Sequence, residues 1–210
     1  MKRVIIVFGL ALIFCSCSNE KGLNGVWVGA YYDFSPEDSL SIKWPLSEVI
    51  QFSRGKYIIK KFLFDGDDSK GKYNYFIKKT YLDSMSSLMV KSFNKDSLVL
   101  KNMNLEKVYY KLYDSLKQNK PIEKLINRKF VLKIENLIDT IGFVNDSLAI
   151  YNEISKAEKI YWEKVELENF HIILFDGVAP AVIIRNKKNE FKLVQRYKNH
   201  TSLINMIELK

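Results

Sequence analysis

His171 and His200 are the only histidines in the 210-residue chain, so any imidazole chemistry must fall to one of them. His171 lies in "FHIILF", on the same strand face as Ile173 and Phe175, and reads as a core or edge-strand residue. His200 sits in the polar turn "KNHTS". Neither belongs to a His-x-His or HExxH pattern, and the cysteines form no cluster, so a zinc site of ordinary ligand spacing is not expected. "FDGDDSKG" gathers Asp65, Asp67 and Asp68 around Gly66, which could offer oxygens to calcium. It lacks the further acidic ligand of an EF-hand loop and reads as a solvated hairpin tip. No Gly-x-Ser-x-Gly elbow precedes a helix. Glu166 and Glu168 would share one strand face toward solvent, whereas general acid–base work needs burial to move a pKa. The chain is therefore read as a non-enzyme with no metal and no cofactor.

The cysteines point elsewhere. Lys2 and Arg3 precede eleven apolar or small residues, Val4 to Phe14, followed by Cys15, Ser16, Cys17 and Ser18. As a helix that run rises only about 16 Å, roughly half a bilayer core, so it cannot span a membrane. A positive start, a short apolar middle and small residues at the exit describe an export signal. The stretch resembles the signal of bacterial lipoproteins, in which a small residue precedes a cysteine that is acylated before cleavage. Ser16 places Cys17 in that position, whereas Cys15 would follow bulky Phe14. The resemblance implies a signal over 1–16, a lipid on Cys17 and a short tether over 17–22. It also implies a bacterial envelope location on a membrane, the outer one favoured. A mature chain of this kind has no free thiol and no disulfide, and its stability comes from burial alone.

Hydrophobic residues make up 47% of the chain and aromatics 13%, enough for a real core. The formal charge of +9 falls to +7 without Lys2 and Arg3. Only five of the 33 basic residues are arginine (Arg3, Arg54, Arg128, Arg185 and Arg196), although bidentate phosphate and base recognition prefers arginine. The lysines alternate with apolar residues, as on the wet face of a sheet. Nucleic acid is not an expected partner.

The dominant pattern has period two. "RKFVLKI" sets Phe130, Leu132 and Ile134 on one face. "EFKLVQRY" does the same with Phe191 and Leu193, and "KVYYKLY" separates Val108 and Tyr110 from Tyr109 and Lys111. Such alternation predicts half-buried strands. "FHIILF" and "AVIIRN" are β-rich without clean alternation. Asp65-Gly66, Asn94-Lys95-Asp96, Asn145-Asp146 and Asp176-Gly177 supply turn chemistry. Helix is scarce; "YDSLKQNKPIEKLIN" offers two short amphipathic pieces interrupted by Pro121. The fold class is all-β: an antiparallel meander forming two small tandem barrels or half-barrels. A first domain spans 23–113, a linker 114–124 and a second domain 125–210. A single larger barrel-like sheet is the alternative. An 83-residue slide overlays the later strands of the halves, with Val99 on Val182 and Tyr110 on Leu193, while "LNGVWVG" overlays "LINRKFVL" about 103 residues on.

"LNGVWVGAYY" resembles the opening of bacterial lipocalin-like lipoproteins, where Gly-x-Trp starts the first strand; here these are Gly25 and Trp27. The resemblance implies that Trp27 closes the bottom of a barrel beneath a cation from the last strand. The first half has no arginine there, and Lys111 is the nearest cation; the second half carries Arg196 late but Lys129-Phe130 in place of Gly-x-Trp. Two binding functions follow. In one, a barrel holds a small apolar ligand lined by Trp27, Tyr57, Tyr75 and Tyr110. In the other, solid barrels form an accessory, inhibitor or immunity-type module whose exposed Tyr31, Tyr32, Trp44 and Trp162 anchor an envelope protein. Interior volume discriminates them: a cavity of about 300 Å3 or more favours the carrier.

Overall fold

The computed structural model describes residues 22–34, 42–54, 56–61, 71–74, 89–103, 105–153 and 156–209. Cys17, Tyr75 and the Asp65–Asp68 loop lie outside them. Among the described residues the elements are strands, apart from helical residues 22–23 and a 3-10 turn at Asp114–Leu116. No helix among the described residues is long and apolar enough to cross a membrane.

The first unit contains β1 (Gly25–Phe34), β2 (Ile42–Pro45), β3 (Glu48–Ser53), β4 (Lys56–Lys61), β5 (Gly71–Asn74), β6 (Met89–Phe93), β7 (Ser97–Asn102) and β8 (Leu105–Lys111). They form a curled antiparallel sheet in the order β5-β4-β3-β1-β8-β7-β6, with β2 added to the far end of β1. The second unit contains β9 (Arg128–Ile134), β10 (Leu137–Phe143), β11 (Leu148–Glu153), β12 (Lys156–Leu167), β13 (Phe170–Phe175), β14 (Val178–Lys187), β15 (Glu190–Tyr197) and β16 (His200–Glu208). These eight close into a barrel, β16 pairing back onto β9. Full closure leaves this unit no free strand edge.

Local chemistry explains the tight meander. In the β6–β7 turn Asn94 Oδ1 accepts from the amides of Asp96 and Ser97, both at 2.8 Å. Asn145 plays the same part between β10 and β11, accepting from Ser147 and Leu148. Gly177 takes φ +65° in the Asp176-Gly177 turn, as expected. Two-residue turns with a positive φ at Glu135, Glu168 or Lys198 close other hairpins. The stretch over 114–127 is not the pair of helices expected. After the 3-10 turn it runs extended, and Ile122 and Leu125 insert into the barrel core. Gln118 ties the stretch to the barrel, its backbone N–H donating to Asn169 O and its side-chain amide to Ile184 O. A turn bond from Arg128 N to Leu125 O leads into β9.

Strand pairing corrects the expected internal overlay. β1 pairs with β3 and β8, and β9 pairs with β10 and β16. The counterpart of β8 is therefore β16, whereas the 83-residue slide laid β8 on β15. Hairpins of similar length and period match at any whole-strand offset, so side-chain alternation could not fix which strand met which. The 103-residue offset does agree with topology, because it sets β1 on β9.

Gly29 shows how closely the first unit is packed. A Cβ there would stand 2.3 Å from the Leu46 carbonyl oxygen, where the chain crosses from β2 to β3 over β1. At Gly142 the nearest atom would be Lys129 Cγ at 3.8 Å, an ordinary contact. Gly29→Ala should therefore destabilise the protein by about 1–3 kcal/mol in denaturant unfolding, and Gly142→Ala by less than about 0.5 kcal/mol. Equal effects would remove the steric argument.

Barrel closure has an electrostatic component. Arg128 Nε and Nη2 donate to the two carboxylate oxygens of Glu208 at 2.8 and 2.7 Å, tying β9 to β16. That hydrogen bonding is the main cause holding the Glu208 carboxyl below its ordinary value of 4.5. A lowered carboxyl pKa means the contribution is complete above pH 4.5 and is lost as pH falls through the lowered value. The melting-temperature difference between wild type and Glu208→Gln should thus be present at pH 7 and shrink below pH 4.5. A difference independent of pH would exclude this role.

Candidate functional site

Two enclosed cores and one apolar seam define the molecule. Inside the first unit lie Leu23, Trp27, Ile50, Phe52, Tyr57, Leu98, Leu100 and Tyr109. The Trp27 indole N–H donates to Leu23 O at 2.8 Å, and Lys111 Nζ sits 5.1 Å from the Trp27 ring centroid while donating to Gly22 O. Lys111, the nearest cation in the first half, is therefore the one that meets the Trp27 ring. Glu48, also buried here, accepts hydrogen bonds from the Tyr109 hydroxyl and from Lys107 Nζ. Burial above all, with Glu48 second, pushes the Tyr109 phenol well above its ordinary pKa. This buried carboxylate is fully occupied by its neighbours.

In the barrel, Phe130 meets Phe143 and Phe191 edge-on at 5.9 and 5.6 Å, and Phe143 meets Trp162 at 4.6 Å. The Arg128 guanidinium lies over Phe130 and Phe191 at 5.1 and 5.6 Å. The cation at this base thus comes from the first strand. Arg196, from the late strand, lies outside the barrel with its guanidinium 5.0 Å from the Tyr110 ring. Trp162 was expected as an exposed anchor and is not one. It is 4% exposed, with its indole N–H bonded to Asn145 O at 3.0 Å. Its neighbours on β12 alternate between charge and apolar bulk, which hid its inward direction.

The seam joins the two units back to back. Val26 and Val28 of β1 and Val49 of β3 point away from their own core and pack on Val165, Phe170, Ile172, Leu174 and Val182 of the barrel exterior. Polar contacts cross the same boundary: Ser47 Oγ donates to Phe175 O at 2.6 Å, Gln51 Nε2 to Glu168 Oε1 at 2.7 Å, and Tyr197 OH to Lys43 O at 2.7 Å. Lys60 pairs with Glu163 at 3.2 Å.

Where the seam opens, it leaves a cleft of about 200 Å3. Its walls are Val28 and Leu112 from the first unit and Pro180, Val182, Ile184 and Val194 from the barrel. The 3-10 turn contributes Ser115 and Leu116, and Tyr110, Tyr113 and Arg196 stand at the rim. The Tyr110 hydroxyl donates to Lys198 O. Its pKa is raised, chiefly by burial and next by Tyr31, with Arg196 and Lys43 acting in the opposite direction.

The expected ligand residues therefore separate. Trp27 and Tyr57 share the first core, Tyr110 faces the opposite side of its sheet into the cleft, and Tyr75 lies outside the described residues. Tyr32 and Trp44 do come together. They are register partners on β1 and β2, two residues from the Phe34–Ile42 pair on the same face, and the Tyr32 and Phe34 rings meet edge-on at 5.1 Å. Trp44, Phe34 and Ile42 are 51%, 51% and 60% exposed. Sequence reasoning missed Phe34 and Ile42, whose hairpin partnership required the register. His171 is buried in the barrel wall with Nδ1 3.5 Å from a Glu166 carboxylate oxygen. Glu166 is exposed on β12 as expected, while Glu168 lies in the following turn at φ +49°. Among the described residues no group of three or more His, Cys, Asp or Glu is placed to hold a metal.

No protein-family model, no curated protein and no solved structure matches the chain. The class of protein defined by the geometry is an all-β chain in which a curled antiparallel half-barrel is docked on an eight-stranded closed antiparallel barrel.

The seam makes a testable claim about cooperativity. Wild type should unfold in one calorimetric transition, because the units bury apolar surface in each other. Val165→Asp places an unpaired carboxylate in that seam, at a cost of several kcal/mol, and should split the melt into two transitions. A single unshifted transition in the variant would show that the seam does not couple the units.

Proposed function

We propose that this protein is a lipid-anchored lipoprotein of the bacterial cell envelope, outer membrane favoured, that works by binding and not by catalysis. It is read as a rigid, lipocalin-like interaction module for an envelope protein partner. The observation that carries this reading is that, among the described residues, the interior of each unit is packed with its own side chains. Trp27, Phe52, Tyr57 and Tyr109 occupy one interior, and the Phe130, Phe143, Phe191 and Trp162 rings, with Ile122 and Leu125 inserted, occupy the other. Side-chain packing of this kind favours a partner-binding surface over an internal carrier cavity.

The surface is the aromatic hairpin of β1 and β2. Phe34, Ile42 and Trp44 are exposed side by side, with half-buried Tyr32 packed beneath them, and aromatic residues of this kind dominate interface hot spots. Its position fits an anchored module. A lipid on Cys17 would lie five residues from Gly22, which touches Lys111 at the start of β1. Phe34 ends that ten-residue strand, about 30 Å away at the usual strand rise. In this reading the hairpin lies at the opposite end of β1 from the anchor, free to meet a partner in the aqueous envelope.

Affinity capture with the full lipidated chain from detergent-solubilised membranes tests the reading. One stoichiometric protein should be retained by wild type. Trp44→Ala should weaken that interaction by about 2 kcal/mol or more, roughly thirtyfold in Kd, with an unchanged melting temperature. Recovery of a stoichiometric long-chain lipid by organic extraction, with no protein retained, would overturn the module in favour of a carrier. An unmodified Cys17 in mass spectrometry would remove the anchor.

A further inference from the structure

We infer that the cleft between the two units is a binding site for a small organic carboxylate whose apolar body is about the size of one aromatic ring. The inference stands on the cleft alone and does not depend on the protein partner proposed above.

Three features converge on this chemistry. The first is size and lining. A cavity of about 150 Å3 with aliphatic and aromatic walls takes up benzene, and this cleft offers about 200 Å3 walled by aliphatic side chains from both units. A single ring with a short polar arm fits this volume.

The second is charge. No aspartate or glutamate lines the cleft. Lys111 turns its ammonium to the Trp27 ring and Gly22 O, so the charge available at the rim is Arg196. Its guanidinium rests against the Tyr110 ring, and among the described residues it has no carboxylate partner. Resting on a ring face orients a guanidinium while leaving its N–H donors at the edge, the arrangement that receives a carboxylate side-on.

The third is preorganisation. Arg196 and Tyr110 belong to different units, and Tyr110 is held by its own bond to Lys198 O in the turn beyond Arg196. The seam that docks the units thereby sets the distance between the cation and the apolar walls. Ser115 and Tyr113, both exposed, also line the cleft, and each has a hydroxyl with which to complete the hydrogen bonding of a carboxylate.

Isothermal titration of the full chain with phenylpropionate and with its uncharged amide tests the site. Wild type should bind phenylpropionate saturably at one site per chain and bind the amide more weakly. Arg196→Gln should weaken phenylpropionate about tenfold or more and leave the amide unchanged. Val194→Phe, which fills the cleft from the barrel side, should abolish binding of both, with the melting temperature reporting that the fold persists. Should Val194→Phe fail to fold, Ser115→Trp at the exposed mouth serves the same purpose. The inference is overturned if wild type shows no saturable phenylpropionate binding, or if Arg196→Gln binds as wild type does. Retention of the partner by a variant that no longer binds phenylpropionate would leave the interaction module standing, and loss of the partner by Trp44→Ala would leave the cleft untouched.

Discussion

The back-to-back seam is the constraint from which most of this structure follows. Valines on the outer face of β1 and β3 can leave water only by packing on the exterior of β12, β13 and β14. A barrel wall normally needs one apolar face; at the seam it needs two. This accounts for "FHIILF", in which five consecutive residues are buried on β13, and for the run of buried residues in β14. In such strands neither face can be polar, and alternation disappears for the same reason it does in sheets covered on both sides. Strands of the barrel away from the seam, such as β9 and β16, keep the alternating pattern because their outer faces meet solvent.

Each unit solves the closure of its base by setting a cation over aromatic rings, with different residues. In the first, Lys111 comes from the strand that pairs with β1, crosses to Trp27 and holds Gly22 O. In the second, Arg128 lies on the opening strand itself and grips Glu208 on the closing one. A cation over a ring gains electrostatic stabilisation while keeping its N–H groups for carbonyls and carboxylates at the rim. The side chain serving this role therefore differs in identity and in strand, although the 103-residue correspondence of Trp27 with Phe130 places the aromatic floor at the same point of both units.

Docking also decides what is left for binding. With the interiors occupied by rings and the seam occupied by aliphatics, the exposed hydrophobic material concentrates at strand ends. The β1–β2 hairpin extends beyond the curl of its sheet, so Phe34, Ile42 and Trp44 have no second layer to meet among the described residues. The cleft arises differently: two convex sheet exteriors cannot match along their whole length, and the mismatch opens beside the 3-10 turn. The hairpin is thus a property of one unit, and the cleft exists only because there are two.

The sequence by itself determined the antiparallel β class and many strand faces, and left two units and one larger sheet as alternatives. Phe130, Leu132, Phe191 and Leu193 point inward as alternation required, and the Asn94, Asn145 and Asp176-Gly177 turns lie where their side-chain chemistry put them. These are local properties, set by backbone period and by hydrogen bonds within a few residues. Only the tertiary structure decided that Trp162 is core, that β8 corresponds to β16, that residues 114–127 plug a barrel instead of forming helices, and that Tyr110 and Arg196 meet across a seam. Those outcomes depend on which surface faces which, and two strands with the same alternation are indistinguishable until something packs against them.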